Sequence, residues 1–301
     1  MTEIIELPNK ILKNNPGYID AHTLDELWFH TGTACNLACP FCLEGSKPGD
    51  NRLQRMNIED VIPYVDEAVS LGVKQFSFTG GEPFIVKDFI KILDYASKRK
   101  PCLVLTNGTE PLIKRIETFA SLKENPNPIH FRISLDYPDP EKHDISRGVG
   151  SFHKALHGIE LLIKNGFTIS IARQMEKEED KESVEQQYRT ILKNNNLPTD
   201  IPIVEFPDFL KPGSIANVPT ITENCLIDYH TEETRKKFMC AYSKMLIKRK
   251  NKIRVYACTL VDDDPSYDMG NSLAESMTKR VLLNHHRCYS CFAFGASCSE
   301  A

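Results

Sequence analysis

Leu27–Leu43 reads LWFHTGTACNLACPFCL, and Gln75–Pro83 reads QFSFTGGEP. Each is a short apolar run that breaks into small and polar residues, the pattern of a buried strand opening into a loop. Taken as strands Leu27–Thr31 and Gln75–Phe78, they begin a rhythm that returns at Leu103–Leu105, Phe131–Leu135, Thr168–Ala172 and Ile201–Phe206. Between them, amphipathic stretches predict helices over Ile58–Leu71, Phe89–Ala96, Leu112–Leu122, Phe152–Ile163 and Val184–Leu192. Gly72 and Gly166 follow two of these as left-handed caps, and Ser151 is placed to cap the fourth. Strands alternating with helices imply an α/β fold, a parallel sheet with right-handed crossovers, open or curled into a partial barrel. In either form the chemistry belongs at the C-terminal ends of the strands.

The chain has 301 residues, 41% hydrophobic and 26% charged, enough to bury a sizeable core. Thirty-seven Lys and Arg against 41 Asp and Glu leave a net charge of −4. That mild acidity gives no electrostatic footprint for a nucleic-acid partner. Met1–Asn15 mixes Glu, Lys and Asn among its apolar residues, so it lacks a signal-peptide core, and no stretch is long enough to span a bilayer. A cytoplasmic location with no membrane partner is the expectation. Ten cysteines are many for a reducing compartment, where they read as metal ligands or catalytic thiols more readily than as disulfides. Cys35, Cys39 and Cys42 form one group; Cys225, Cys240, Cys258, Cys288, Cys291 and Cys298 lie in the last third. Cys102 reads as a small buried hydrophobe.

Cys35-x3-Cys39-x2-Cys42 follows the first strand directly. Three thiolates on one short loop can hold three irons of a cubane cluster, whose usual ligands are four cysteines. With no fourth cysteine near in sequence, one iron keeps an open position, which suits catalysis. Structural zinc takes paired spacings and four protein ligands, which this loop does not supply. Gly80-Gly81-Glu82 ends the second strand; the glycines permit close backbone approach to a ligand, and the Glu82 carboxylate can accept from an ammonium group. Asn107 closes the third strand, and Ser134 and Asp136 close the fourth.

The cysteine spacing, with Phe41 before its last member and Thr79-Gly80-Gly81-Glu82-Pro83 at the next strand end, resembles the radical S-adenosylmethionine (SAM) enzymes. The resemblance runs from the first strand to the sixth. It implies a partial (β/α)6 TIM-type barrel and two cofactors, SAM and a [4Fe-4S] cluster on Cys35, Cys39 and Cys42. It places Gly80, Gly81 and Glu82 on the methionine amino group. Asn107, Ser134 and Asp136 are further SAM contacts, short polar side chains of the sort that hold ribose hydroxyls. Arg147 would pair with the SAM carboxylate. The implied chemistry is reductive cleavage of SAM to a 5′-deoxyadenosyl radical that takes hydrogen from a substrate, with electrons from a reductant such as flavodoxin or ferredoxin.

After Phe206 the pattern changes. Leu210–Thr222 contains Pro212, Gly213 and Pro219 and reads as a connection, so a boundary is expected near Leu210. It would divide an extension (1–24), the barrel (25–209) and a small C-terminal hairpin-helix iron–sulfur domain (210–301). Met245–Lys248 and Ile253–Cys258 read as a hairpin, Leu273–Leu283 as a helix, and Arg287–Ala301 as a cysteine-bearing tail. Cys240 and Cys258 at the feet of a hairpin, then a helix, then Cys288-x2-Cys291, are similar to the twitch or SPASM auxiliary-cluster extensions of the same family. The glycine usual before their second cysteine is absent, Ile253 standing there, and the cysteine run is shortened. One auxiliary [4Fe-4S] cluster is therefore implied, on Cys240, Cys258, Cys288 and Cys291, or with Cys298 in place of Cys240. C-x2-C is also a zinc-ribbon spacing.

The expected function is a radical SAM oxidoreductase or transferase acting on a peptide or small-molecule substrate. The alternative is a non-catalytic iron–sulfur electron carrier or redox sensor, which would leave Gly80–Glu82 and Ser134 unexplained. Cys225, outside both spacings, is either a hydrogen-atom donor to a substrate radical or a structural thiol. Asp262–Asp264 and Glu176–Glu185 read as solvated, Lys248–Arg254 as an exposed tip, and His285-His286 as end-of-helix caps.

Overall fold

The strands are β1 (Tyr18–Ile19), β2 (Glu26–His30), β3 (Gln75–Thr79), β4 (Cys102–Thr106), β5 (Ile129–Ser134), β6 (Thr168–Gln174), β7 (Ile203–Phe206), β8 (Ser243–Arg249), β9 (Lys252–Tyr256) and β10 (Val281–Leu282). The computed structural model describes residues 15–176, 178–206 and 214–295. β2 to β7 lie side by side in chain order, each pair parallel. The crossovers carry α1 (Ile58–Ser70), α2 (Phe89–Ser97), α3 (Glu110–Ile113), α4 (Ile116–Phe119), α5 (Pro140–Arg147), α6 (Ser151–Lys164) and α7 (Lys181–Asn194). This is the parallel α/β sheet of a partial (β/α)6 TIM-type barrel.

Strand alternation sorts the side chains onto two faces. Leu27, Phe29, Phe76, Phe78, Val104, Phe131 and Ile133 pack against Val61, Val65, Phe89, Leu93, Leu156 and Ile159 of the helices. The rings of Phe29 and Phe78 stack at 5.2 Å. Each such buried phenylalanine stabilises by about 1.5–3 kcal/mol. α1 begins at a capping box in which Asn57 Oδ1 accepts from Asp60 N and the Asp60 carboxylate accepts from Asn57 N, both at 2.8 Å.

Trp28 and Leu103, from the other face, join a second core with Met245, Ile247, Tyr256 and the cysteines of the C-terminal group. That core exists because the expected hairpin continues the same sheet. β8 pairs in parallel with β2, with Leu27 opposite Lys244, and β9 returns antiparallel. The order is β7-β6-β5-β4-β3-β2-β8-β9, eight strands. Lys250 and Asn251 take φ of 50° and 57°, the left-handed pair of a two-residue hairpin turn. The C-terminal third also holds α8 (Glu223–Tyr229), α9 (Glu232–Arg235), α10 (Met239–Tyr242), α11 (Leu273–Ser276) and α12 (Cys288–Phe294).

Three local expectations change. The helix expected over Leu112–Leu122 is broken into α3, α4 and a 3-10 turn at Ala120–Glu124. At the break, Arg115 turns its guanidinium onto the carbonyls of Phe84 and Val86, at 2.9 and 2.8 Å. The helix expected over Leu273–Leu283 stops at Ser276, because Val281 and Leu282 pair with Ile19 and Tyr18 as β10. Ser151 is the first helical residue of α6 rather than its cap, and the Asp144 carboxylate accepts from Phe152 N at 2.9 Å and from the Ser151 hydroxyl at 3.2 Å. The boundary expected near Leu210 lies outside the described residues. No helix among the described residues is long and apolar enough to cross a membrane.

Candidate active site

The loop after β2 carries Cys35, Cys39 and Cys42, and the end of β3 is hydrogen-bonded along it. Gly81 N donates to Gly32 O at 2.8 Å and Glu82 N to Ala34 O at 3.0 Å. The glycines are required by this contact between two backbones. A Cβ on Gly81 would stand 2.1 Å from Ala34 O, and one on Gly80, where φ is +139°, 2.8 Å from Gly32 O.

Glu82 is buried. Its Oε1 accepts from Phe84 N at 3.1 Å and from the Thr106 hydroxyl at 2.8 Å, and its Oε2 accepts from Asn107 N at 2.9 Å. The carboxylate thus ties the ends of β3 and β4 together and keeps one lone-pair direction on Oε2 for a further donor. Burial pushes its pKa up to about 7, against the pull of those three hydrogen bonds and of Arg147.

Asn107 closes the circle back to the cysteine loop. Its Nδ2 donates to Asn36 Oδ1 at 2.9 Å and lies 3.9 Å from Cys35 Sγ, and Asn36 in turn donates to Thr109 Oγ1 at 2.9 Å. Leu37 N also donates to Cys35 Sγ, at 3.4 Å. The three thiols sit within electrostatic reach of one another. Burial pushes the Cys35 thiol up to about 12 and also raises Cys39, on which Arg147 pulls the other way. A metal centre here must displace protons that the apo-protein holds firmly.

Asp136 and Arg147 meet each other. Arg147 donates to both Asp136 oxygens, through Nη2 at 3.0 Å and through Nε, and its guanidinium lies 5.4 Å from the centre of the Phe41 ring. The pair ties α5 to the end of β5 and to the cysteine loop. Ser134 is half-buried as the last residue of β5, opposite Ala172 of β6. Gly108, at φ +69°, turns the chain after Asn107 so closely under α6 that a Cβ on Gly158 would stand 2.2 Å from Gly108 O.

The second group assembles around α10, the end of the hairpin and α12. Cys240, Cys258, Cys288 and Cys291 are buried and line one small cavity with Phe238, Leu260 and Tyr267. Cys288 and Cys291 stand three apart on α12, which puts both sulfurs on one face. Met239 N donates to Cys291 Sγ at 3.5 Å, and the Tyr267 hydroxyl lies 4.0 Å from Cys288 Sγ. Burial raises the thiols of Cys240 and Cys258, and that of Cys288 to about 11. Cys298 lies outside the described residues.

A tetrahedral zinc site needs sulfurs about 3.8 Å apart, given a Zn–S bond of about 2.3 Å. Among the described residues no three cysteine sulfurs lie within 4.8 Å of one another; His30, Glu44 and Asp262 form the one such group of potential ligands. The described sulfurs are therefore not gathered at tetrahedral zinc distances.

His30, Glu44 and Asp262 were not anticipated, and Asp262, expected to be solvated, is buried. Gly32 N donates to His30 Nδ1 at 3.2 Å, which makes Nδ1 the lone-pair nitrogen and leaves the neutral ring's proton on Nε2. Nε2 faces Glu44 Oε2 at 3.5 Å. A metal-bound imidazole donates through its second nitrogen instead, so His30 lacks the hydrogen-bond pattern of a metal ligand, and the three groups meet by proximity, within 4.8 Å of one another. Burial and the neighbouring Glu44 raise the Asp262 pKa. The trio brings together the loop after Cys42 and the loop after Cys258.

Cys225 lies in the first turn of α8, where its Sγ is 3.2 Å from the Thr222 hydroxyl, and it packs on the second core. His285 and His286 precede α12, stacked at 4.5 Å, and end no helix. At the hairpin tip, Lys248 reaches Asp60 at 2.5 Å.

A family model described as the Radical SAM superfamily matches residues 29–187, more than half of the chain. The antilisterial bacteriocin subtilosin biosynthesis protein AlbA of Bacillus subtilis is 37% identical over 140 residues, 46% of this chain and 30% of the relative. The mycofactocin maturase MftC of Mycolicibacterium smegmatis is 34% identical over 137 residues, 45% of this chain and 33% of the relative. The chain thus spans about a third of the length of these curated relatives. Streptococcus suis SuiB bound to S-adenosylmethionine shares the fold with a TM-score of 0.61 at 15% identity, over 86% of this chain and 66% of SuiB. SuiB bound to its precursor peptide SuiA also matches with a TM-score of 0.61, at 14% identity over 87% and 66%.

Proposed function

The chain belongs to the radical SAM superfamily, and from that premise we propose that it cleaves SAM beside the Cys35–Cys39–Cys42 loop and modifies a peptide. One auxiliary [4Fe-4S] cluster is held by Cys240, Cys258, Cys288 and Cys291. The observation that carries the reading is the hydrogen-bonded unit formed by the cysteine loop, Glu82 and Asn107.

Three thiols from one loop fit a cluster with one iron left for a ligand. When bound, the cluster and SAM together supply a 5′-deoxyadenosyl radical that takes hydrogen from the substrate. The chain's own part is placement. Glu82 offers its remaining Oε2 lone pair to the methionine ammonium, and the Gly80-Gly81 backbone brings that acceptor against the cysteine loop. Asn107 and Ser134, at the neighbouring ends of β4 and β5, are the proposed ribose contacts. Arg147, committed to Asp136, places a guanidinium beside Phe41 and the thiols, where its charge offsets the thiolates and draws the SAM carboxylate. A small reductant protein such as flavodoxin or ferredoxin supplies the electron.

A peptide substrate is favoured by the relatives, since AlbA is named for bacteriocin biosynthesis and SuiB has been solved with a precursor peptide. Against zinc stands that no three of the described cysteine sulfurs lie within 4.8 Å of one another. Anaerobically reconstituted protein is expected to hold about eight irons per chain, as two four-iron clusters. Under dithionite it should release 5′-deoxyadenosine from SAM. Replacing Cys35, Cys39 and Cys42 together should leave about four irons and no cleavage. Zinc as the sole metal, or an eight-iron protein inert toward SAM, overturns the proposal.

A further inference from the structure

Lys244, the second residue of β8, is 0% exposed. Its Nζ donates to the carbonyls of Cys240 at 2.8 Å and Ser243 at 3.0 Å. Two other buried cations have carboxylate partners: Arg147 has Asp136, and Arg173 has Glu179 and Glu205. Among the described residues no carboxylate pairs with Lys244, and the groups whose charge reaches it are Cys240 and Cys258. A buried ammonium without a countercharge is costly, and removing either member of a buried pair exposes that cost. The missing negative charge is what thiolates ligating iron would bring.

We propose that Lys244 is the countercharge of the auxiliary cluster and raises its reduction potential. The inference rests on the auxiliary-cluster reading above. Four buried thiolates around a cluster give a strongly anionic site, and each added electron deepens it; a fixed cation beside two of the ligands opposes that charge. Reduction adds one electron and moves no atom, so the effect is electrostatic. Lys244 stands on β8, the strand that joins the second cysteine group to β2 of the barrel sheet.

The test is a potentiometric titration of the reconstituted protein, followed by electron paramagnetic resonance of the auxiliary cluster. Lys244→Met removes the charge and the hydrogen bonds; Lys244→Gln removes the charge and keeps a donor; Lys244→Arg keeps the charge. Met and Gln are each expected to change the oxidised-to-reduced ratio at a fixed potential at least tenfold, a shift of 59 mV to more negative values for one electron. Arg should stay near the wild type, as should Lys248→Met, whose lysine pairs with Asp60. If Met shifts the potential and Gln does not, the hydrogen bonds matter and the countercharge idea falls. If Met and Gln lose the auxiliary iron while Arg retains it, the charge is confirmed as a requirement for the cluster. Loss of iron in all three overturns the proposal in favour of packing. Wild-type protein that holds no second four-iron cluster sinks the auxiliary reading itself; an intact cluster with an unmoved potential sinks only the role of Lys244.

Discussion

Replacing Glu82 by alanine in the apo-protein is expected to change stability by an amount that depends on pH. The buried carboxylate accepts three hydrogen bonds, from Phe84 N, the Thr106 hydroxyl and Asn107 N. Alanine leaves those donors unpaired, at a cost of about 1 kcal/mol or more for each, so about 3 kcal/mol in all. Against this stands the burial of the charge. The Glu82 pKa rises from an ordinary 4.5 to about 7 in the folded state. That rise is worth about 3 kcal/mol at 1.36 kcal/mol per pH unit. Because the folded pKa lies above the unfolded one, the folded state binds the proton more tightly. The stabilisation is complete below pH 4.5 and is lost as pH rises through about 7. Urea unfolding under anaerobic conditions should therefore show the variant about 3 kcal/mol less stable than wild type near pH 4, and the two nearly equal above about pH 7. SAM, by placing an ammonium on Oε2, should flatten the wild-type pH dependence and leave the variant's untouched. A constant gap between the two proteins across that range would refute the reasoning. A wild-type curve that SAM does not flatten would move the ammonium elsewhere.

Gly158→Ala drives a Cβ to within 2.2 Å of Gly108 O, so α6 must lift from the Asn107 turn. A loss of about 1–3 kcal/mol in urea unfolding is expected, with weakened SAM binding by calorimetry. Asp262→Asn removes a buried carboxylate whose pKa is raised, so its gain in stability relative to wild type should grow as pH rises from about 5 to about 8. Equal gains at both ends would show that Asp262 is ionised throughout. Cys225→Ala should leave both SAM cleavage and product formation intact, because the thiol is bonded to Thr222. Continued cleavage with loss of a redox-neutral product would instead make Cys225 the hydrogen donor.

Both cysteine groups and the strand ends that face them were legible in the sequence, since spacing and strand periodicity are local properties. The partners of those residues were not. Asp136 and Arg147 read separately as ligand contacts, yet they pair with each other across α5. Gly80 and Gly81 read as room for a ligand, yet the nearest obstacle to a side chain is the backbone of residues 31–34. Asp262 looked solvated because three consecutive aspartates normally are, and only the fold brings His30 and Glu44 against the first of them.

The six parallel strands and their crossovers follow from the sequence by itself, because short apolar runs bounded by turn residues mark buried strands and the amphipathic stretches between them mark helices. So does the three-cysteine loop, whose ligands lie within eight residues of chain. The placement of the second cysteine group is a tertiary fact. Nothing local in Ser243–Arg249 says that it pairs in parallel with Glu26–His30, more than two hundred residues earlier. Hydrogen bonds between strands are made by backbone, which every sequence offers alike, so the choice of neighbour rests on packing that only the assembled core defines. That pairing buries Lys244, a residue that reads as solvent-facing in any window of sequence, beside Cys240 and Cys258.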